Sequence, residues 1–84
     1  MSPSVYDRLK RLIAEQLGVD EEEITPEASF AEDLNADKTE ILDLVTSIEE
    51  EFGIEIPPSD VARYFTREEA TVQDALDYLE EQAG

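Results

Sequence analysis

One stretch leaves this chain little choice of conformation. Between Asp37 and Gly53, the apolar residues Ile41, Leu44, Val45, Ile48 and Phe52 recur at three- and four-residue intervals, which puts all five on one stripe of an α-helix. Asp37 and Glu40 have the spacing of a capping box, in which each side chain satisfies a backbone amide of the other at the helix start. Gly53 supplies the stop. The outer face carries Glu40, Asp43, Glu49, Glu50 and Glu51, opposed only by Lys38, so this is the most acidic helix of the chain.

The same logic finds two further main helices. Val5, Leu9, Leu12, Ile13 and Leu17 form an apolar face, with Ser4 and Asp7 spaced to cap it and Gly18 to end it, and a helix is predicted over 4–17. Thr71 and Asp74 make another capping box, leading into Val72, Ala75, Leu76 and Leu79, and a helix is predicted over 72–82. Between them, Ile54 and Ile56 flank Glu55 in a short extended piece that Pro57-Pro58 ends. Ser59 is then placed to cap a brief helix through Val61, Ala62, Tyr64 and Phe65. Residues 19–36 show weak periodicity and a Thr25-Pro26 breaker. A connection of that length stays ordered only if it is pinned, and Ile24, Phe30 and Leu34 are the apolar residues able to do so, leaving Asp20, Glu21, Glu22 and Glu23 in water. The expected fold is all-α: a small irregular four-helix bundle of three main helices, one short helix and a long loop between the first and second. Its 84 residues have material for one core, so a single domain over 1–84 is expected.

Charge and missing residue types narrow the chemistry. Twenty-three acidic residues against six basic ones give a net charge of -17, which repels nucleic acid and anionic membranes and favours basic protein surfaces. Arg8, Lys10 and Arg11 place half of the cations on the first helix. With neither cysteine nor histidine there is no disulfide, thiolate or imidazole to work with. The acids at 20–23 lack the alternating ligand spacing and turn glycine of a calcium loop, so no metal is expected. Carboxylates without a nucleophile or a phosphate-cradling glycine loop point to a non-enzyme. No apolar run approaches a membrane span and no signal-like segment is visible, so a cytoplasmic protein, monomeric, is the expectation.

Family resemblance adds what periodicity does not. The segment Asp33-Leu34-Asn35-Ala36-Asp37-Lys38-Thr39-Glu40-Ile41-Leu42-Asp43-Leu44-Val45, continued by Ile48-Glu49-Glu50-Glu51-Phe52-Gly53-Ile54-Glu55-Ile56-Pro57, resembles the region around the Asp-Ser-Leu motif of acyl carrier proteins. Glu15-Gln16-Leu17-Gly18-Val19, Glu27-Ala28-Ser29-Phe30 and Thr71-Val72-Gln73-Asp74-Ala75 extend the likeness over nearly the whole chain. Arg63 through Ala70 departs from it, with several residues more than the usual bacterial form. In that family the motif serine begins the second helix and carries phosphopantetheine, whose thiol holds an acyl chain as a thioester. A helix N-terminus suits a phosphate there, because its free amides and dipole favour negative charge.

At the motif this chain keeps Asp37 but has Lys38 in the serine position and Thr39 in the leucine position. The resemblance therefore makes Asp37, Lys38 and Thr39 the cofactor-site positions while implying that no phosphopantetheine is attached, since the transfer makes a phosphate ester to a hydroxyl and an ammonium is not a substitute. Thr39 does have a hydroxyl, but one residue further along a helix turns the side chain by about 100°. Ser29 and Ser47 fit better as local hydrogen-bonding residues. The reading is of a carrier-like protein of fatty-acid or polyketide-type metabolism that docks through Glu40, Asp43, Glu49 and Glu50 on basic surfaces of acyl-metabolism enzymes. Two alternatives stand beside it: an acyl or aminoacyl carrier with atypical attachment at Thr39 or Lys38, and an acidic mimic that fills a basic groove outside acyl metabolism. Ile41, Val45, Ile48, Ile54, Phe65 and Leu76 are the candidates to line an acyl cavity, with core packing the simpler role for them, and a free fatty acid would bind there weakly for want of a tether.

Overall fold

The computed structural model describes residues 4–83. Helix α1 (Val5–Leu17) opens with the Asp7 amide donating to Ser4 Oγ at 3.1 Å and closes at Gly18, whose φ of 68° lets its N–H turn back to the carbonyl of Ala14. Helix α2 (Lys38–Phe52) has the full capping box and ends at Gly53 in the same left-handed conformation. Helix α4 (Val72–Ala83) begins with a second full box, the Thr71 amide donating to Asp74 Oδ2 and the Asp74 amide to Thr71 Oγ1. Each full box satisfies two amides at the helix start and Ser4 satisfies one, worth about 1 kcal/mol per cap.

The short helix differs from its expected form. Helix α3 (Pro58–Val61) begins one residue before Ser59, with Pro57 in the cap position and Pro58 at N1, where a missing N–H costs nothing. Ser59 is thus inside the helix and caps nothing. The chain then runs directly into a π-helical turn, Ala62–Thr66, which delivers Phe65 to the core.

Residues 19–36 are pinned as expected and more firmly. Ile24, Phe30 and Leu34 are buried, and a 3₁₀ turn at Glu21–Glu23 leaves its three acids exposed. The loop is also tied to the start of α4: the Phe30 amide donates to the Ala70 carbonyl, and the amides of Val72 and Gln73 donate to the carbonyls of Ala28 and Pro26. These bonds enclose a lone antiparallel bridge between Ser29 and Thr71; among the described residues there is no strand. The turn closing Arg63 through Ala70, with the Ala70 amide on the Arg67 carbonyl, is what brings Thr71 to that bridge.

The core follows the three stripes. Leu9 and Ile13 from α1, Leu44 and Ile48 from α2, and Val72 and Leu79 from α4 are sealed from solvent around Phe30 and Phe65, whose ring centroids are 6.2 Å apart. Each such side chain gives roughly 1.5–3 kcal/mol on burial. Ile41, Val45, Ile48, Phe65 and Leu76 are buried in this core and Ile54 packs partly against it, so of the six residues all but Val45 serve packing alone. Arg8 joins α1 to the end of α2, paired with the Glu51 carboxylate at 2.9 Å and lying 4.2 Å above the Phe52 ring.

Candidate functional site

The start of α2 is fixed from both sides. Upstream, Ser29 organises the loop: its amide donates to Asp33 Oδ2, its hydroxyl accepts from the Glu32 amide, and its carbonyl accepts from Asp33 and Leu34. Asn35 then turns the chain through the left-handed region at φ 56°, and the Ala36 amide donates to the Phe30 carbonyl at 2.8 Å. Downstream, the Glu40 amide donates to Asp37 Oδ1 at 2.8 Å and the Asp37 amide to Glu40 Oε1 at 3.0 Å. Asp37 is therefore a cap, and Lys38 and Thr39 are the first two helical residues, both exposed. Lys38 makes no ion pair with Asp37, Glu40 or any other acid among the described residues.

The four acids expected to act together divide into three situations. Asp43 and Glu50, seven residues apart, return to within about 20° of each other on the helix. They share an exposed stripe with Thr39 and Thr46. Glu40 is half-buried and occupied by the capping box. Glu49 is about a quarter-turn from Glu50 and accepts the Ile56 amide on Oε2 at 2.8 Å, which ties the extended piece after Gly53 back to α2. Asp43 and Glu50 are thus the free carboxylates of the set, whereas Glu40 and Glu49 are held by the chain's own amides. Sequence periodicity does not reveal this, because the Glu49 bond depends on where residues 54–57 return.

A groove of about 400 Å³ runs between α2 and α3. Lys38, Leu42, Val45, Thr46 and Glu49 form its α2 wall, and Ile56, Pro58, Val61, Ala62 and Thr66 the other. Only Val45 belongs to the six residues considered for a cavity, so the open space lies outside the core. Leu42, at 42% exposure the one large apolar side chain left in water among the described residues, sits on this rim. Its exposure was legible in principle, since it falls outside the α2 stripe.

The wall formed by α3 is held from behind by Tyr78. This side chain, 4% exposed, donates from its hydroxyl to Asp60 Oδ2 at 2.8 Å and packs against Tyr64 at 4.9 Å. Burial first, then the hydrogen bond and negative charge of Asp60, push its hydroxyl up to about 12 from 10.0. Among the described residues no helix is long and apolar enough to cross a membrane.

The family model described as phosphopantetheine attachment site matches residues 7–79. An acyl carrier protein of Thermosynechococcus vestitus is 45% identical over 75 residues, spanning 89% of this chain and 86% of that protein. The solution structure of a protein described as an acyl carrier protein, from Anaplasma phagocytophilum, superposes with a TM-score of 0.82 over 99% of this chain and 92% of that one; at 23% identity it speaks for the fold.

Proposed function

The chain belongs to the acyl carrier protein family, marked by the phosphopantetheine attachment domain, and from that premise we propose that it works by docking on acyl-metabolism enzymes without a covalent arm. Members of this family are carriers rather than enzymes, phosphopantetheine is their prosthetic group, and they meet enzymes of acyl metabolism. The observation that carries the proposal is Lys38 as the first residue of α2, next to an intact Asp37–Glu40 cap. The helix start that would present a serine is built correctly and presents an amine.

The residues there do not fit the prosthetic group. Its phosphodiester requires a hydroxyl oxygen; Lys38 has none, and Thr39, one residue on, lies on the outer stripe with Asp43 and Glu50 rather than along the groove. Thr46 has a hydroxyl on the groove, but it donates to the Leu42 carbonyl at 3.2 Å. Asp43 and Glu50, with Leu42 beside them, are the docking residues this reading favours, Glu40 and Glu49 adding charge while serving the fold. An exposed apolar side chain with two free carboxylates on its outer side matches a partner surface with a hydrophobic seat bordered by Arg and Lys. No catalytic activity, a single domain, a monomer and a cytoplasmic setting complete the proposal.

The test is affinity capture from the native cell combined with the intact mass of the captured protein. Enzymes of acyl metabolism recovered with unmodified protein support the reading. Partners unrelated to acyl chemistry would favour an acidic mimic instead, and a mass gain mapping to Thr39 or Lys38 would favour atypical attachment.

A further inference from the structure

Arg63 through Ala70, the stretch that departs from the family pattern, lies outside the acidic stripe of α2, yet it carries two of the six cations in a chain of charge -17. The π-helical turn buries Phe65 and lays Tyr64 against Tyr78, which leaves Arg63 and Arg67 exposed. Each follows a residue, Ala62 or Thr66, that stands across the groove from Lys38. Three exposed cations thus gather at the head of α2, and none makes an ion pair among the described residues. The acids near them in the chain are not bonded to them: Asp37 serves the cap, Asp60 accepts from Tyr78, and Glu68 and Glu69 are exposed without an ion pair. Of the other cations, Arg8 pairs with Glu51, Lys10 lies 4.8 Å from the centre of the Tyr6 ring and Arg11 stands on α1. Charge is therefore divided across α2. Counting 100° per residue from Lys38, Leu42 is about 40° round and Asp43 and Glu50 about 120–140°. Exposed Leu42 separates a cationic side, where the π turn lies, from an acidic one. A uniformly basic partner would set like charge against the cationic corner, whereas one with an acidic cluster there gains attraction on both sides of Leu42.

We propose that Lys38, Arg63 and Arg67 form a second docking patch, and that the protein partner carries an acidic cluster against it, beside the hydrophobic and basic seat for Leu42, Asp43 and Glu50. This deepens the docking reading above and rests on it. The patch sets specificity: the charge of -17 attracts basic surfaces at large, and a surface of mixed charge fits both sides of α2.

The probes are two helical peptides of one length with the same leucine stripe, one bordered by lysine on both sides, the other by lysine on one side and glutamate on the other. Each is titrated into the native protein at physiological ionic strength, following the backbone amide shifts of Lys38, Leu42, Asp43 and Arg67. The titrations are repeated on the triple variant Lys38→Glu, Arg63→Glu, Arg67→Glu and on the double variant Asp43→Lys, Glu50→Lys. All five positions are exposed, and far-ultraviolet circular dichroism checks that the fold is kept. A triple replacement of the same cations by Gln gives a milder second series. The expected result is that the triple reversal weakens the mixed peptide on the order of tenfold and tightens the all-lysine one, with the Gln series between, while the double reversal weakens both. A mixed peptide bound equally or more tightly after the triple reversal would overturn the proposal. So would inorganic phosphate shifting the same amides as strongly as the mixed peptide, which assigns the patch to a free anion. The two failures are distinguishable: if the double reversal also changes nothing, or neither peptide shifts these residues, docking through this face falls as a whole, whereas a response to the double reversal alone sinks this inference alone.

Discussion

Replacing Tyr78 by Phe removes one hydroxyl and isolates what holds α3 in place. The rings of Tyr64 and Phe65, at 4.9 and 6.4 Å, keep their partner, so packing is retained and the loss is the 2.8 Å bond to Asp60. A hydrogen bond to a charged group contributes about 1.5–3 kcal/mol, and Asp60, half-buried, recovers part of this from water, which leaves about 2 kcal/mol. The raised hydroxyl, from 10.0 to about 12, has burial as its first cause and this bond as its second, so it gives the direction of the pH dependence. The folded state holds this proton longer than the unfolded chain does. The stabilisation is therefore complete below pH 10 and lost as pH rises through about 12. Urea unfolding followed by circular dichroism should show a midpoint lowered on the order of 1 M by Tyr78→Phe at pH 8. The difference should shrink toward zero by pH 12, because only the native protein loses this contribution. A constant difference across that range would refute the assignment of the bond to the tyrosine proton.

Self-repulsion at a charge of -17 should make the melting temperature rise with sodium chloride, by about 4–8 °C for each kcal/mol recovered; a flat salt series contradicts it. Asn35→Val places a β-branched residue at φ 56° and should cost about 1–2 kcal/mol in urea unfolding, while Asn35→Gly should cost nothing. Reversing Asp43 and Glu50 together to Lys should weaken binding to a captured basic partner on the order of tenfold, with little change in melting temperature. The same reversal at Glu49 should lower stability as well, since the Ile56 amide loses its acceptor.

The helices were legible because their signals are local. A capping box needs residues three apart; the spacing gives full boxes at Asp37 and Thr71, while at Ser4 only the hydroxyl side forms and Asp7 does not reach back. The stripe of α2 likewise reads directly as Ile41, Leu44, Val45 and Ile48 in the core. What escaped depends on elements meeting across the fold. Tyr78 lies off the expected apolar set of α4 and is buried because Asp60, eighteen residues away, gives its hydroxyl a partner. Ser59 looked like a cap by residue type, but Pro58 with its fixed φ starts the helix first. The groove is formed by α3 standing off α2, a spacing that no periodicity encodes, and the Ser29–Thr71 bridge joins residues 42 apart in the chain. At the site, Lys38 at the head of α2 follows from the cap spacing, whereas its place on the groove rim does not.

The most direct measurement is the intact mass of this protein and of Lys38→Ser after each is incubated with coenzyme A and a broad-specificity phosphopantetheinyl transferase. The account predicts that the native mass stays as translated while Lys38→Ser gains one phosphopantetheine, because the cap and helix that present the position are already in place. A native protein that takes up the group would contradict it.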